Sequence, residues 1–295
     1  MELFRSLIFV PGNRSNMLER AITFDADIIM VDLEDSVPPG EKITARGVAE
    51  EWVSKLAKEG PRPNRKIMVR VNSLDTGLTK DEVTAVAGPD LYGISLGKPE
   101  SVWDVREADR ILGAVEASAG LEHGRIKLIP WIESAKAVMA AQHMGAASPR
   151  IVALAFGAED YTNDMGIQRT DSGEEVYYPR AGVPVAARAA GVASLDSPFV
   201  AFRDPDALRK DVQVARQMGY SGKFAIHPSQ IEVINEVFSP SDDEVAYARQ
   251  VVDAWNRAEA EGRGSANLDG RMIDVPVIKR AQNLLEFADA IRTQG

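Results

Sequence analysis

The chain of 295 residues contains no cysteine. This absence removes disulfides, thiolate-held metals and cysteine nucleophiles together, and it fits a reducing cytoplasm. Histidine is scarce too, with only His123, His143 and His227. The first two lack a chelating spacing and no His-Glu-x-x-His occurs, so zinc is disfavoured. No apolar run approaches the roughly 18 residues of a membrane span. In "MELFRSLIFVPGNR" the first run is cut by Pro11-Gly12, too early for a signal peptide. Positive charge is in deficit: 34 Lys and Arg against 44 Asp and Glu leave a net charge of −10. The balance speaks against a general nucleic-acid or anionic-membrane surface, and an anionic ligand needs a local basic pocket. There is no Gly-x-Ser-x-Gly elbow and no P-loop, and "GRGSAN" lacks the third glycine and preceding strand of a dinucleotide fingerprint. With 45% hydrophobic and 26% charged residues, the composition is that of a soluble globular protein, and with no cysteine and no targeting segment a cytoplasmic location is expected.

Short apolar runs recur, each ending in a turn or a charge: "SLIFVPG" (6–12), "DIIMVDLED" (27–35), "KIMVRVN" (66–72), "YGISLGKPE" (92–100), "IKLIPWIES" (126–134), "IVALAFGAED" (151–160) and "KFAIHPSQ" (223–230). A weaker one, "GVASLDSP", spans 191–198. Such runs read as strands buried on both faces. Helical patterns lie between them at 14–24, 101–117, 134–144, 179–191 and 204–219. The alternation predicts a (β/α)8 TIM barrel over residues 1–235, with a doubly wound open sheet as the alternative. From 236 to 295 the chain turns helical, broken at Ser239-Pro240-Ser241, where Ser241 and Glu244 signal a new helix start. A polar loop, a short extended piece and a last helix follow. This extension is a packing appendage, or a lid over the barrel or over a neighbouring subunit.

In a barrel the C-terminal ends of the strands converge on one mouth. Here those ends carry Asp32, Glu34 and Asp35, then Arg70 and Asn72, Lys98, Glu133, the pair Glu159 and Asp160, and His227. One acid after a strand is commonly a helix cap or a solvated loop. Acids after three strands, with arginine and lysine after two others, point to a metal and anion site. Carboxylates without histidine suit Mg²⁺, which takes one or two of them plus water and substrate oxygens. Glu133 and one of Glu159 and Asp160 are the natural ligands. Arg70, sent inward by strand alternation, needs an anionic partner, either a protein carboxylate or a substrate. Lys98 stands open as a Schiff-base lysine. His227, pinned by Pro228, is a structural hydrogen-bonding group or a ligand contact.

Taken together, "RSLIFVPGNR", "DIIMVDLEDSV", "VRVN", "GKPES", "IPWIES", "FGAEDYTNDMG", "GYSGKFAIHPSQ" and "GRMIDVPVIKRA" resemble the citrate lyase beta-subunit-like acyl-CoA lyases, the group of malyl-CoA and citramalyl-CoA lyases. The likeness runs in order from about residue 5 to 290. It implies a TIM barrel, Mg²⁺, a CoA thioester and a 2-oxo acid, and homotrimers or hexamers whose C-terminal segment reaches a neighbour's site. By motif, Glu133 and Asp160 match the metal carboxylates and Arg70 the substrate arginine. Asp274, in "MIDVP", matches a catalytic aspartate given by the adjacent subunit. Asp32, Glu34 and Asp35 match an acidic cluster that holds the metal's waters. Arg14, Lys98 and the Ile226-His227-Pro228 stretch fall in segments used around CoA. Gly97 departs from the family, which more often has proline before that lysine. Other readings are a citryl-carrier-protein lyase subunit, a CoA-independent class II aldolase, against which the "GRMIDVP" segment speaks, and a non-catalytic barrel, against which Arg70, Glu133, Asp160 and Asp274 speak together.

Overall fold

The structure, a computed structural model, describes residues 2–62, 65–170 and 172–294. Eight parallel strands close into a barrel: β1 (Ser6–Pro11), β2 (Ile28–Asp32), β3 (Lys66–Val71), β4 (Gly93–Leu96), β5 (Lys127–Ile132), β6 (Ala153–Phe156), β7 (Ala193–Asp196) and β8 (Gly222–Ala225). Each pairs with the next, and β8 returns to β1 in the register Ser6 with Lys223. Closure rules out the open doubly wound sheet. The helices between are α1 (Ser15–Ala21), α2 (Lys42–Lys58), α3 (Thr79–Val86), α4 (Val102–Ala119), α5 (Ala135–Gly145), α6 (Ala158–Met165) and α7 (Tyr177–Ala190), both after β6, and α8 (Pro205–Met218). Among the described residues no helix is long and apolar enough to cross a membrane.

The strands form where the hydrophobic runs predict. Helices α2, α3 and α6 are additional. Helix α2 buries Ala45, Ala49, Trp52, Val53 and Leu56, an apolar stripe at helical spacing whose alanines weaken the pattern. Helix α6 begins at Ala158, so Glu159 and Asp160 belong to its first turn, and Asn163 and Asp164 lie near its end.

Barrel interiors are filled by alternate residues of each strand. Leu7, Ile28, Met30, Met68, Ile129, Trp131, Ala153, Ala155, Leu195 and Phe224 form one buried cluster here, with Phe9 against it. Phe9 stacks on Phe224 at 5.0 Å between ring centres, and Trp131 tilts onto Phe224 at 4.5 Å. Continuing the same alternation past the core leads to Asp32, Arg70, Glu133, Gly157, Ser197 and Ile226. The packing that fills the barrel therefore sets which side chains rise into its mouth.

Two compact units divide the chain within helix α9 (Ile231–Phe238): Phe4–Asn235, and the residues from Glu236 onward together with the first three, the terminal residues 1 and 295 lying outside the description. In the second unit, α10 (Asp242–Ala260) and α11 (Val275–Gln294) share a core of Ala248, Val251, Ala254, Ile278 and Ala281 with Ala266 and Ile273. Ser241 caps α10 in a capping box with Glu244, as the sequence indicates. The extended piece is a hairpin, β9 (Ala266–Leu268) against β10 (Arg271–Ile273). Its turn is Asp269-Gly270, with φ of 50° and 78°. Two successive left-handed residues are what a tight hairpin turn requires, and Asp-Gly supplies them at least cost.

Candidate active site

Adjacent strands and a shared register place Asp32 beside Arg70. The Arg70 guanidinium donates from Nε and Nη2 to the two oxygens of Asp32, both at 2.7 Å. Its Nη1 lies 3.2 Å from Glu34 and 3.1 Å from Asp35, and its plane sits 4.6 Å over the Phe9 ring. Of the two partners the sequence allows for Arg70, the structure shows the protein carboxylate. Burial works against the charge of Arg70, but the hydrogen bonds and charge of Asp32 keep its pKa above the usual arginine range. Burial alone would raise the pKa of Asp32; Arg70 holds it below the ordinary carboxylate value.

Glu133 follows β5 and is buried. Burial, then the neighbouring charges of Asp160 and Glu34, push its pKa up to about 8. The backbone N–H of Lys98 donates to it at 2.6 Å, a direction made possible by the left-handed backbone at Lys98, φ 56°. Two glycines leave room for the acids. A Cβ at Gly157 would stand 2.5 Å from Glu133 Oε2, and one at Gly97 would stand 2.8 Å from the Glu34 carboxyl carbon. Glycine at 97 is thus what lets the Glu34 carboxylate lie where it does.

The Lys98 ammonium bonds to Glu34 at 2.8 Å and Asp35 at 3.2 Å, with Asp160 at 3.9 Å. Burial would lower its pKa, yet Glu34 and then Asp35 and Asp160 raise it above the lysine norm. A Schiff-base lysine needs a depressed pKa to be a free amine. The carboxylates around Lys98 do the opposite, so the Schiff-base alternative is set aside. Burial followed by the charge of Asp35 raises the pKa of Glu34, against the pull of Arg70 and Lys98.

A cavity of about 480 Å³ opens over these groups, lined by Arg70, Asp32, Asp35, Glu133, Glu159 and Asp160 on its polar side. Phe9, Trp131, Met17, Val200 and Ile226 make an apolar wall, and Ser36 and Ser197 add hydroxyls. The structure so brings together the two metal candidates, the arginine and the acidic cluster. Glu159, also at the cavity wall, pairs with Arg169 at 3.1 Å, which leaves Asp160 as the acid of that pair beside Lys98. The donor set fits a hard divalent cation: a buried carboxylate with a raised pKa faces a second carboxylate, and no histidine intervenes. Among the described residues no group of three His, Asp or Glu side chains forms a metal cage.

The residues matched to CoA segments are less concentrated. A smaller cavity of about 170 Å³ is lined by Ile226, His227 and Pro228 together with Met17, Arg20 and Phe24, and it shares Phe9, Met17 and Ile226 with the larger one. His227 stacks on Phe202 at 4.9 Å and shares a hydrogen bond with Ser229 at 2.8 Å, so it is locally structured while facing a cavity. Arg14 lies exposed at the start of α1, and among the described residues its side chain has no bonding partner. It lines neither cavity; the arginine that does line the smaller one is Arg20, which sequence reasoning passes over. In the C-terminal unit, Asp274 accepts from the Val277 N–H at 3.2 Å and so caps α11. Gly157, Ser197 and Trp131 are further lining residues that continued strand alternation would have found.

Residues 5–228 match the model of the HpcH/HpaI aldolase/citrate lyase family. Citrate lyase subunit beta of Leuconostoc mesenteroides subsp. cremoris is 35% identical over 288 residues, covering 98% of this chain and 94% of that protein. The L-malyl-CoA/beta-methylmalyl-CoA lyase of Cereibacter sphaeroides is 33% identical over 310 residues, covering 97% and 95%. Among solved structures, the protein CitE from Mycobacterium tuberculosis in complex with magnesium, acetoacetate and coenzyme A superposes with a TM-score of 0.77 at 26% identity, covering 97% of this chain and all of that one. With the barrel closed, the carboxylates gathered at its mouth and the likeness running over nearly the whole chain, this protein belongs to the HpcH/HpaI aldolase/citrate lyase family, a family of lyases.

Proposed function

We propose that the protein is an Mg²⁺-dependent carbon–carbon lyase that reversibly cleaves a 3-hydroxyacyl-CoA of the malyl-, methylmalyl- or citramalyl-CoA type. The products are a 2-oxo acid, glyoxylate or pyruvate, and an acyl-CoA. The observation that carries this reading is one cavity lined at once by Arg70, Glu133 and Asp160.

Glu133 and Asp160 are the residues that would hold Mg²⁺, whose chemistry is to polarise the hydroxyl oxygen that becomes the keto group. In the cleavage direction the hydroxyl gives up its proton to water in the open cavity, and one proton later returns to the product carbon, so none is gained or lost overall. The bond from the hydroxyl-bearing carbon to the thioester α-carbon breaks, and its electron pair passes to the thioester side as an enolate. Arg70, fixed by Asp32 and stacked on Phe9, presents a charge to that developing oxyanion with little reorganisation. Asp274, presented by a neighbouring subunit of a trimer or hexamer, would return a proton to the enolate carbon. Glu34 and Asp35 hold the water and charge balance between Arg70 and Lys98. Ile226, His227 and Pro228, with Arg14 or Arg20, would flank the CoA moiety.

The higher identity to a citrate lyase subunit beta favours a second reading, a lyase subunit acting on a citryl group borne by a carrier protein. A panel of malyl-, methylmalyl- and citramalyl-CoA with Mg²⁺, followed by glyoxylate and pyruvate release, tests the first reading. Cleavage of at least one free CoA thioester is expected. Inactivity on all of them with activity on a citryl carrier protein would favour the second, and activity only on free hydroxy-oxo acids would replace both by an aldolase.

A further inference from the structure

The acidic loop after β2 is held at its backbone by a lysine that does not line the cavity. Lys42, the first residue of α2, places its ammonium 2.8 Å from the Leu33 carbonyl, 2.7 Å from the Glu34 carbonyl and 2.8 Å from Asn72 Oδ1. An ammonium has three protons and no acceptor, so these three bonds use all of its donors. Asn72 is itself fixed: its Nδ2 donates to the Leu33 carbonyl at 2.8 Å and to Glu82 Oε1 at 2.5 Å, and its backbone N–H to Glu82 Oε2 at 2.8 Å. Glu82, on α3, is fully buried. Two helices and a strand end thus converge on two consecutive carbonyls.

The opposite edge of the same loop is tied to Asp32, which accepts from the N–H of Glu34 at 2.9 Å and of Ser36 at 3.1 Å. Both peptide planes flanking Glu34 are therefore set, the N–H by Asp32 and the C=O by Lys42. With the backbone fixed, Glu34 and Asp35 leave it in the one direction that reaches Arg70 and Lys98. We propose that Lys42, backed by Asn72 and Glu82, is the positioning residue of this loop and sets where the Glu34 and Asp35 carboxylates meet Arg70 and Lys98, Asp35 at the cavity wall and Glu34 behind it. The inference rests on the reading of that loop as part of the lyase site. Without the ammonium, two carbonyls lose a charged donor, the loop gains freedom, and a displacement near 1 Å at a reacting site costs on the order of 100-fold in rate.

The test uses the full-length Lys42→Met variant, which keeps the stem and removes the charge. Hydrogen exchange in the segment 33–37 should quicken by about tenfold or more while the other strands keep wild-type protection. With the best thioester of the panel, kcat should fall by about tenfold or more while KM stays within about threefold. A role in stability alone would give no such split. A folded variant with wild-type exchange at 33–37 and kcat within about twofold of wild type would overturn the proposal. Should Lys42→Met not fold, Lys42→Arg replaces it: a planar fork cannot set three protons on three converging acceptors, so the same split is expected in smaller measure, and wild-type values in both assays would overturn the proposal. If the wild-type protein cleaves no thioester, the lyase reading fails while hydrogen exchange still judges Lys42.

Discussion

Replacing Gly157 by alanine puts a methyl group where Glu133 now packs. Gly157 has φ −109° and ψ 95°, a conformation alanine adopts freely, so any effect comes from space rather than backbone strain. The new Cβ would meet Glu133 Oε2 at 2.5 Å, Glu133 Cβ at 2.6 Å and Trp131 Cε3 at 3.3 Å. Carbon atoms rest at about 3.5–4.0 Å, so Glu133 must retreat by about 1 Å, and its Cβ, next to the strand, cannot simply rotate away. Overpacking of this kind costs about 1–3 kcal/mol, which for a domain of this size lowers the melting temperature by about 2–12 °C. The larger effect falls on chemistry: kcat should drop on the order of 100-fold, because the displaced group is the buried carboxylate proposed to hold Mg²⁺. Gly97→Ala is the comparison, since its methyl meets only the Glu34 carboxyl end and leaves Glu133 in place; a loss of about tenfold, smaller than at Gly157, is expected there. Thermal melting and Mg²⁺-saturated steady-state kinetics read both variants. A Gly157→Ala enzyme with kcat and Mg²⁺ requirement unchanged would refute the placement of Glu133 at the reacting centre.

Other outcomes follow from the same geometry. Glu133, with its pKa raised from 4.5 to about 8 by burial and neighbouring acids, keeps in the folded state a proton that the unfolded chain has lost. Stability in EDTA should therefore fall as pH rises from about 5 to about 8; melting curves of Glu133→Gln should lack that decline, and Mg²⁺ should abolish it in the wild type, because metal binding needs the ionised carboxylate. Arg70→Lys loses the two-pronged bond to Asp32 and should cost about 10²–10³ in kcat, measured with the same thioester. Asp274→Asn should retain Mg²⁺ binding by titration calorimetry and retain assembly, yet lose turnover; mixing it in hetero-oligomers with Glu133→Gln should restore activity if Asp274 serves a neighbour's site, and no restoration would count against service in trans.

Strands and mouth residues were legible because both obey simple periods. "DIIMVDLED" is apolar since β2 is buried throughout, and the acids begin where the strand leaves the core. Asp32, Arg70 and Glu133 lie on the inward phase of strands whose earlier inward residues fill the barrel. Helix α2 escaped notice because two of its five buried residues are alanines, and α6 because a polar octet carries little apolar signal. The Asp269-Gly270 hairpin stands where the sequence predicts only a polar loop and a short extended piece; the dipeptide is its signal, since such pairs tolerate two left-handed residues cheaply. Lys42 was not readable: its partners are carbonyls and an amide contributed by two other segments, and no spacing in the sequence announces them. The pairing of Lys98 with three carboxylates likewise depends on the left-handed backbone at that position and on the absence of a side chain at Gly97.

The central claim is that one site breaks a carbon–carbon bond rather than a thioester. The most direct measurement is the product stoichiometry from a 3-hydroxyacyl-CoA with Mg²⁺ present, with 2-oxo acid, acyl-CoA and free CoA quantified in the same reaction. Equal amounts of 2-oxo acid and acyl-CoA, abolished by EDTA and by Glu133→Gln, is the result expected. Free CoA accumulating with the intact hydroxy acid, and no 2-oxo acid, would contradict it.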